Sequence, residues 1–165
     1  MALVFIGLGS NIEPERHLRA AIAALHALLG PVALSSVFES EAVGFDGPPF
    51  LNLVARGETA LDVVAVVDRI RAIERALGRR PDEPRFANHC VDLDLLLYDA
   101  ICVTAPVVLP RPEITENAYV LWPLAELAAD LRHPLEGRTY GELWAAYDKG
   151  RQRLKPVPFS WTEQP

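Results

Sequence analysis

The apolar run at residues 91–98, Val-Asp-Leu-Asp-Leu-Leu-Leu-Tyr, reads as a strand that carries two carboxylates. Side chains alternate along a strand, so Asp92 and Asp94 share one face and Val91, Leu93 and Leu95 share the other. Two aspartates so placed repel each other unless a cation lies between them, and aspartate is a poor strand former. A chain that puts both in its most apolar strand carries a local cost, and such departures tend to mark working sites. Two readings follow. One is a divalent metal held by hard oxygen ligands; the other is an edge strand with a solvated polar face.

Residues 2–8 form a short apolar run suited to a buried strand, broken at Gly9-Ser10-Asn11. Ser10 or Asn11 is expected to cap a helix with Pro14 in its first turn. Leu18, Ile22, Leu25 and Leu29 recur at helical spacing until Gly30-Pro31 stops it. Residues 32–40 read as a second strand, 41–49 as a loop and 50–58 as a third strand. Thr59-x-x-Asp62 resembles a capping box for a second helix, with Val63, Val66, Val67, Ile70, Ile73 and Leu77 on one face and Gly78 as terminator. An Arg- and Pro-rich loop, 79–89, leads into the Asp strand.

The order β-α-β-β-α-β implies an α+β fold with a ferredoxin-like core, an antiparallel sheet with both helices on one face. There the Asp strand is expected beside the first strand, central and buried, which favours the metal reading. Residues 101–165 are expected to add a C-terminal extension of short strands and two helices. One helix runs from near Pro112 through Tyr119 to Leu121, the other from about Tyr140 to Tyr147. Residues 1–155 are expected to form a single domain and 156–165 a loosely attached tail.

A net charge of -6 argues against a nucleic-acid surface. Arg69, Arg71, Arg75, Arg79, Arg80 and Arg85 nonetheless crowd one short span, which suits a phosphorylated small molecule. The first three are expected to solvate the outer face of the second helix, and the loop arginines to meet the ligand. Cys90 and Cys102 are too few for a disulfide framework and match no zinc spacing. No basic leader opens the chain, and no run approaches the roughly 18 apolar residues of a membrane helix. The expectation is a monomeric cytoplasmic protein with no membrane or nucleic-acid partner.

No Walker loop is present, and Gly7-x-Gly9 lacks the third glycine of a dinucleotide fingerprint. Phosphates would then be held by metal and arginine, the arrangement phosphoryl transfer needs. His89, three residues before Asp92, reads as a phosphate contact, an acid or a turn residue. Asn52 interrupts an apolar strand, where an amide needs partners and is suited to reading the edge of a heterocycle. Phe50, Phe86, Tyr119 and Trp122 are each able to stack on a flat ring or to pack in a core.

In this order, Gly9-Ser10-Asn11, Phe50-Leu51-Asn52, Ile73-Glu74 through Gly78-Arg79, Asp92-Leu93-Asp94-Leu95 and Leu121-Trp122-Pro123-Leu124 form a specific combination. The chain resembles the 6-hydroxymethyl-7,8-dihydropterin pyrophosphokinases of the folate pathway over nearly its whole length. The resemblance implies an ATP-dependent diphosphotransferase that moves the β,γ-pyrophosphoryl unit of ATP to the pterin hydroxymethyl group and releases AMP. It implies two Mg2+ ions on Asp92 and Asp94, which bridge the ATP phosphates. It places Glu74, Arg79 and Leu95 at ATP-contacting positions, Phe86 and Tyr119 as the two rings that enclose the pterin, Asn52 at its edge, and Ser40, Val43 and Phe50 as further pterin contacts. Arg79 and His89 join the two aspartates as catalytic candidates.

Four departures from the family pattern stand out. His89 takes the place of a usual arginine, and a neutral imidazole holds phosphate less firmly than a guanidinium. Arg111 takes the place of a usual histidine, so the two types have traded places around the triphosphate. Pro81 falls where a second arginine is usual, with Arg80 as its stand-in, and Phe86 replaces a tryptophan. Two alternatives therefore remain: a paralogue with a different acceptor, and a non-catalytic ligand-binding module. The paired aspartates speak against the module.

Overall fold

The computed structural model describes residues 1–42, 44–80, 82 and 88–162. In chain order these form β1 (Ala2–Ser10), α1 (Pro14–Leu29), β2 (Ala33–Leu34), β3 (Val37–Ser40), β4 (Phe50–Thr59), α2 (Val63–Ala76) and β5 (Asp92–Tyr98). There follow α3 (Glu113–Glu116), α4 (Ala118–Ala128), α5 (Tyr140–Ala146) and β6 (Leu154–Val157). The result is a mixed α/β fold around one open antiparallel sheet, with the order β5-β1-β4-β3-β6 and β2 alongside β4.

The expected strand over 32–40 is split. The Ser35 backbone pairs with Val54, the Ser35 hydroxyl accepts from Val54 N at 2.9 Å, and Ser36 N donates to Glu126. Serine side chains that bond locally compete with a regular ladder. The Asp strand is not central: β5 pairs with β1 alone among the described residues, and β1 and β4 hold the middle. Its outer edge is nonetheless covered. Leu93 N donates to the Glu74 carboxylate at 2.9 Å, and Leu96 O accepts from Arg111 N at 3.0 Å, so edge groups are satisfied without another strand.

Two helix starts differ from expectation. Glu13, with φ 41°, stands at the N-cap of α1 and makes no side-chain cap. Ser10 and Asn11 are instead committed to residues 88–90 across the sheet end. Asp62, not Thr59, caps α2 by accepting from Ala65 N at 2.9 Å. Gly78 follows α2 at φ 105°, a conformation only glycine adopts cheaply. The helix expected from Pro112 is broken at Asn117, whose extended backbone separates α3 from α4.

The register sorts side chains between the two faces. Val4, Ile6, Leu8, Leu51, Leu53, Leu93 and Leu95 pack with Leu18, Leu25, Val66 and Ile70 of α1 and α2. Phe5, Val54, Leu96 and Leu97 pack on the other side with Leu121 and Leu124 of α4 and Leu143 of α5. Residues 156–162 are docked. β6 extends the sheet from β3, Phe159 and Trp161 join the first core, and Arg19 Nε donates to Ser160 O at 2.7 Å. The expected boundary between 155 and 156 thus falls inside a strand. Among the described residues no helix is long and apolar enough to cross a membrane.

Candidate active site

On the α4 face, the helices cover one end of the sheet and leave the other end open as a cavity of about 500 Å³. Its floor follows from pairing. Gly7 stands opposite Asp94, and Gly9 lies between Asp92 and Asn52. Directly opposed residues point to the same face. The two glycines therefore leave bare backbone where side chains would otherwise fill the space between the carboxylates and the amide. A Cβ on Gly9 would lie 3.1 Å from Asn52 Oδ1.

Each aspartate is held by an arginine. Arg79 Nη1 donates to Asp92 Oδ1 at 2.5 Å and to Glu74 Oε2 at 3.2 Å. Glu74 is 4% exposed, and burial pushes its carboxyl above the usual range, opposed by the Leu93 N–H that it accepts. It therefore fixes both the arginine and the backbone of the strand that carries the aspartates. Arg111 Nη2 lies 3.0 Å from Asp94 Oδ1, and its Nε lies 3.3 Å from Glu113 Oε2. Arg79 and Arg111 both line the cavity.

Burial, then the neighbouring Asp92 charge, raises the Asp94 carboxyl to about 7, with Arg111 pulling the other way. The side chain keeps 35% of its surface, on the cavity side. A raised carboxyl binds a proton in the folded chain that the unfolded chain has already lost. Stability from this group is therefore greatest at low pH and falls as pH rises towards 7. In chelator, the melting temperature of the wild-type chain should drop relative to Asp94→Asn between pH 5 and pH 8. Parallel melting curves across that range would contradict the placement of this carboxyl.

Among the described residues, no group of three or more His, Cys, Asp and Glu side chains is spaced to hold an ion by itself. The two aspartates fit Mg2+ in another way. That ion commonly takes one or two carboxylates and completes its octahedron with water and substrate phosphates, and here both carboxylates open onto the cavity.

Of the other expected residues, Ser40, Phe50, Asn52, His89 and Tyr119 line the same cavity. Asn52 Nδ2 donates to Ser40 Oγ at 2.7 Å, so the hydroxyl sets the orientation of the amide. His89 is buried, and Asn11 grips its backbone: Asn11 Oδ1 accepts from His89 N at 2.8 Å, and Asn11 N donates to His89 O at 3.2 Å. Leu95 points away into the core between the sheet and α1, and Arg80 is exposed and outside the cavity lining. Val43 and Phe86 lie outside the described residues.

Sequence reasoning missed several wall residues, among them Phe45, Glu113, Glu116 and Asn117. It also set aside Arg71 as a solvated helix charge, whereas Arg71 reaches the wall, 3.8 Å from Glu74. The strongest overlooked signal was Gly7-x-Gly9: two glycines on one face of a strand leave room for a ligand.

The family model described as 7,8-dihydro-6-hydroxymethylpterin-pyrophosphokinase (HPPK) matches residues 5–129. The chain is 38% identical over 157 residues to a 2-amino-4-hydroxy-6-hydroxymethyldihydropteridine pyrophosphokinase of Pseudomonas aeruginosa, covering 92% of this chain and 96% of that protein. A protein of the same name from Bacillus subtilis is 36% identical over 130 residues, covering 76% of this chain and 77% of its own. The fold matches a crystal structure of an HPPK-DHPS in complex with substrates, with TM-score 0.73 and 10% identity, over 91% of this chain and 44% of that one. Wild-type Plasmodium falciparum HPPK-DHPS gives TM-score 0.70 at 12% identity, over 87% and 44%. The family match over most of the chain and the two bacterial relatives agree with the cavity's paired carboxylates, and the chain belongs to the HPPK family.

Proposed function

We propose that this chain transfers the β,γ-pyrophosphoryl unit of ATP to the hydroxymethyl group of 6-hydroxymethyl-7,8-dihydropterin, giving AMP and the pterin diphosphate in folate biosynthesis. The observation that carries this reading is the division of one cavity. Carboxylates and arginines gather along β5, while Asn52, Phe50 and Ser40 gather across the glycine floor. A polyphosphate suits the first half and a flat heterocycle the second.

The chemistry is an in-line displacement. The pterin hydroxyl oxygen forms a bond to the β-phosphorus as the bond from that phosphorus to the α,β-bridging oxygen breaks; the bridging oxygen leaves on AMP, and the hydroxyl proton passes to solvent. Such reactions depend on positioning and charge neutralisation more than on covalent help from the protein. Arg79 and Arg111 provide fixed positive charge beside the phosphates. Asn52, oriented by Ser40, reads the pterin edge, with Phe50 and Tyr119 as its ring contacts. Asp92 and Asp94 would hold two Mg2+ ions, which when bound neutralise and align the phosphate oxygens. The order β5-β1-β4-β3, with α1 and α2 against one face, supports reading the core as ferredoxin-like and residues 101–165 as its extension. A cytoplasmic monomer suits this ATP-consuming step.

The test is incubation with ATP, Mg2+ and the dihydropterin, followed by separation of the nucleotides. AMP formed only in the presence of the pterin is the expected result. Release of ADP, or refusal of the dihydropterin, would point to another acceptor.

Gly9→Ala probes the pterin half. Its backbone is not in the left-handed region and the added methyl meets Asn52 Oδ1, so the fold should persist. The KM for the pterin should rise about tenfold, the cost of about 1.4 kcal/mol of lost contact, with the KM for ATP nearly unchanged. Equal rises in both would place the amide elsewhere.

A further inference from the structure

We propose that Arg111 is a resident counter-ion of Asp94 that a divalent cation must displace, so that Arg111 opposes metal binding by the empty site and favours nucleotide binding by the loaded one. This rests on the reading that Asp92 and Asp94 hold metal. Arg111 contacts Asp94 Oδ1 at 3.0 Å, an oxygen that a cation on this carboxylate would take. Its backbone N–H donates to Leu96 O, which pins the residue beside β5. Its Nε lies 3.3 Å from Glu113 Oε2, so the guanidinium bridges two carboxylates. Without cation or arginine, two carboxylates on one sheet face would repel at close range.

Displacement from Asp94 would leave Arg111 paired with Glu113 in the cavity wall, its charge beside the space that a phosphate would fill. A guanidinium is always charged and binds oxyanions through a planar fork, so it suits both carboxylate and phosphate. The two binding events should then respond to Arg111 with opposite signs. A merely structural arginine would weaken both.

The experiment measures Mn2+ binding to the full chain without nucleotide, from the spectrum of free Mn2+, and then the affinity for α,β-methylene-ATP in saturating Mg2+. Arg111→Met should bind Mn2+ about tenfold more tightly than wild type, because the competing cation no longer holds most of the sites. It should bind the nucleotide analogue about tenfold more weakly. Arg111→Lys, which keeps the charge but cannot bridge both carboxylates, should fall between and covers the case in which the methionine variant misfolds. Arg71→Met removes another cavity cation and should change Mn2+ affinity less than twofold. Unchanged or weaker Mn2+ binding in both Arg111 variants would overturn the proposal, as would an equal gain in Arg71→Met. Asp94→Asn separates the two layers. Loss of Mn2+ there with no gain in the Arg111 variants refutes the counter-ion alone, whereas no loss refutes the metal reading beneath it.

Discussion

Replacing Asp92 or Asp94 with alanine should lower turnover at least about a thousandfold, because metal charge on a phosphoryl group provides several kcal/mol of transition-state stabilisation. The fold should survive. Both side chains face a cavity and pair with arginines, so truncation opens no void in the packed core. Removing Asp94 also relieves a carboxyl that burial and Asp92 have raised to about 7, which offsets the loss of its pairing with Arg111. Steady-state rates with native-like melting would show the effect to be chemical. Turnover within about tenfold of wild type in both variants would contradict the metal assignment.

Glu74→Ala should have the largest effect on stability. The side chain is buried on the apolar stripe of α2 and accepts from Leu93 N at 2.9 Å and from Arg79 at 3.2 Å. Truncation strands an edge amide of β5 and one partner of an ion pair, at a cost of about 3 kcal/mol. Glu74→Gln keeps an acceptor for Leu93 and loses only the charge on Arg79, so it should cost about half as much. Urea unfolding measures both. A change under about 0.5 kcal/mol for the alanine variant would mean that β5 is held by its pairing with β1 alone.

Local signals carried most of the element order. Gly30-Pro31 ends α1, Gly78 follows α2, and the helix expected from about Tyr140 to Tyr147 stands as α5. What they could not carry was the choice among partners. Ser35 and Ser36 read as ordinary strand residues until Val54 and Glu126 are placed beside them. Asn11 reads as a helix cap, yet it is drawn to His89 and Asn88 across the sheet end. The element order implied a central place for the Asp strand, but β5 lies outside β1 at the edge of the sheet, where Glu74 and the Arg111 backbone complete it. Glu74 itself left a trace, as a carboxylate four residues after Ile70 on the apolar face of a helix. The aspartates and Asn52 were legible as polar residues in places that cost energy, Arg79 as part of a cluster of loop arginines, and Arg111 only through the family resemblance. The glycine floor was legible only as an absence, which becomes a cavity once pairing puts Gly7 and Gly9 beside the two aspartates.

Two phosphoryl groups should move together from ATP to the pterin. Parallel reactions with ATP labelled at the β- or the γ-phosphate, followed by separation of the pterin product, test it directly. Both labels should reach the pterin in equal amounts, with unlabelled AMP left behind. Transfer of the γ label alone, with the β label retained in ADP, would contradict it.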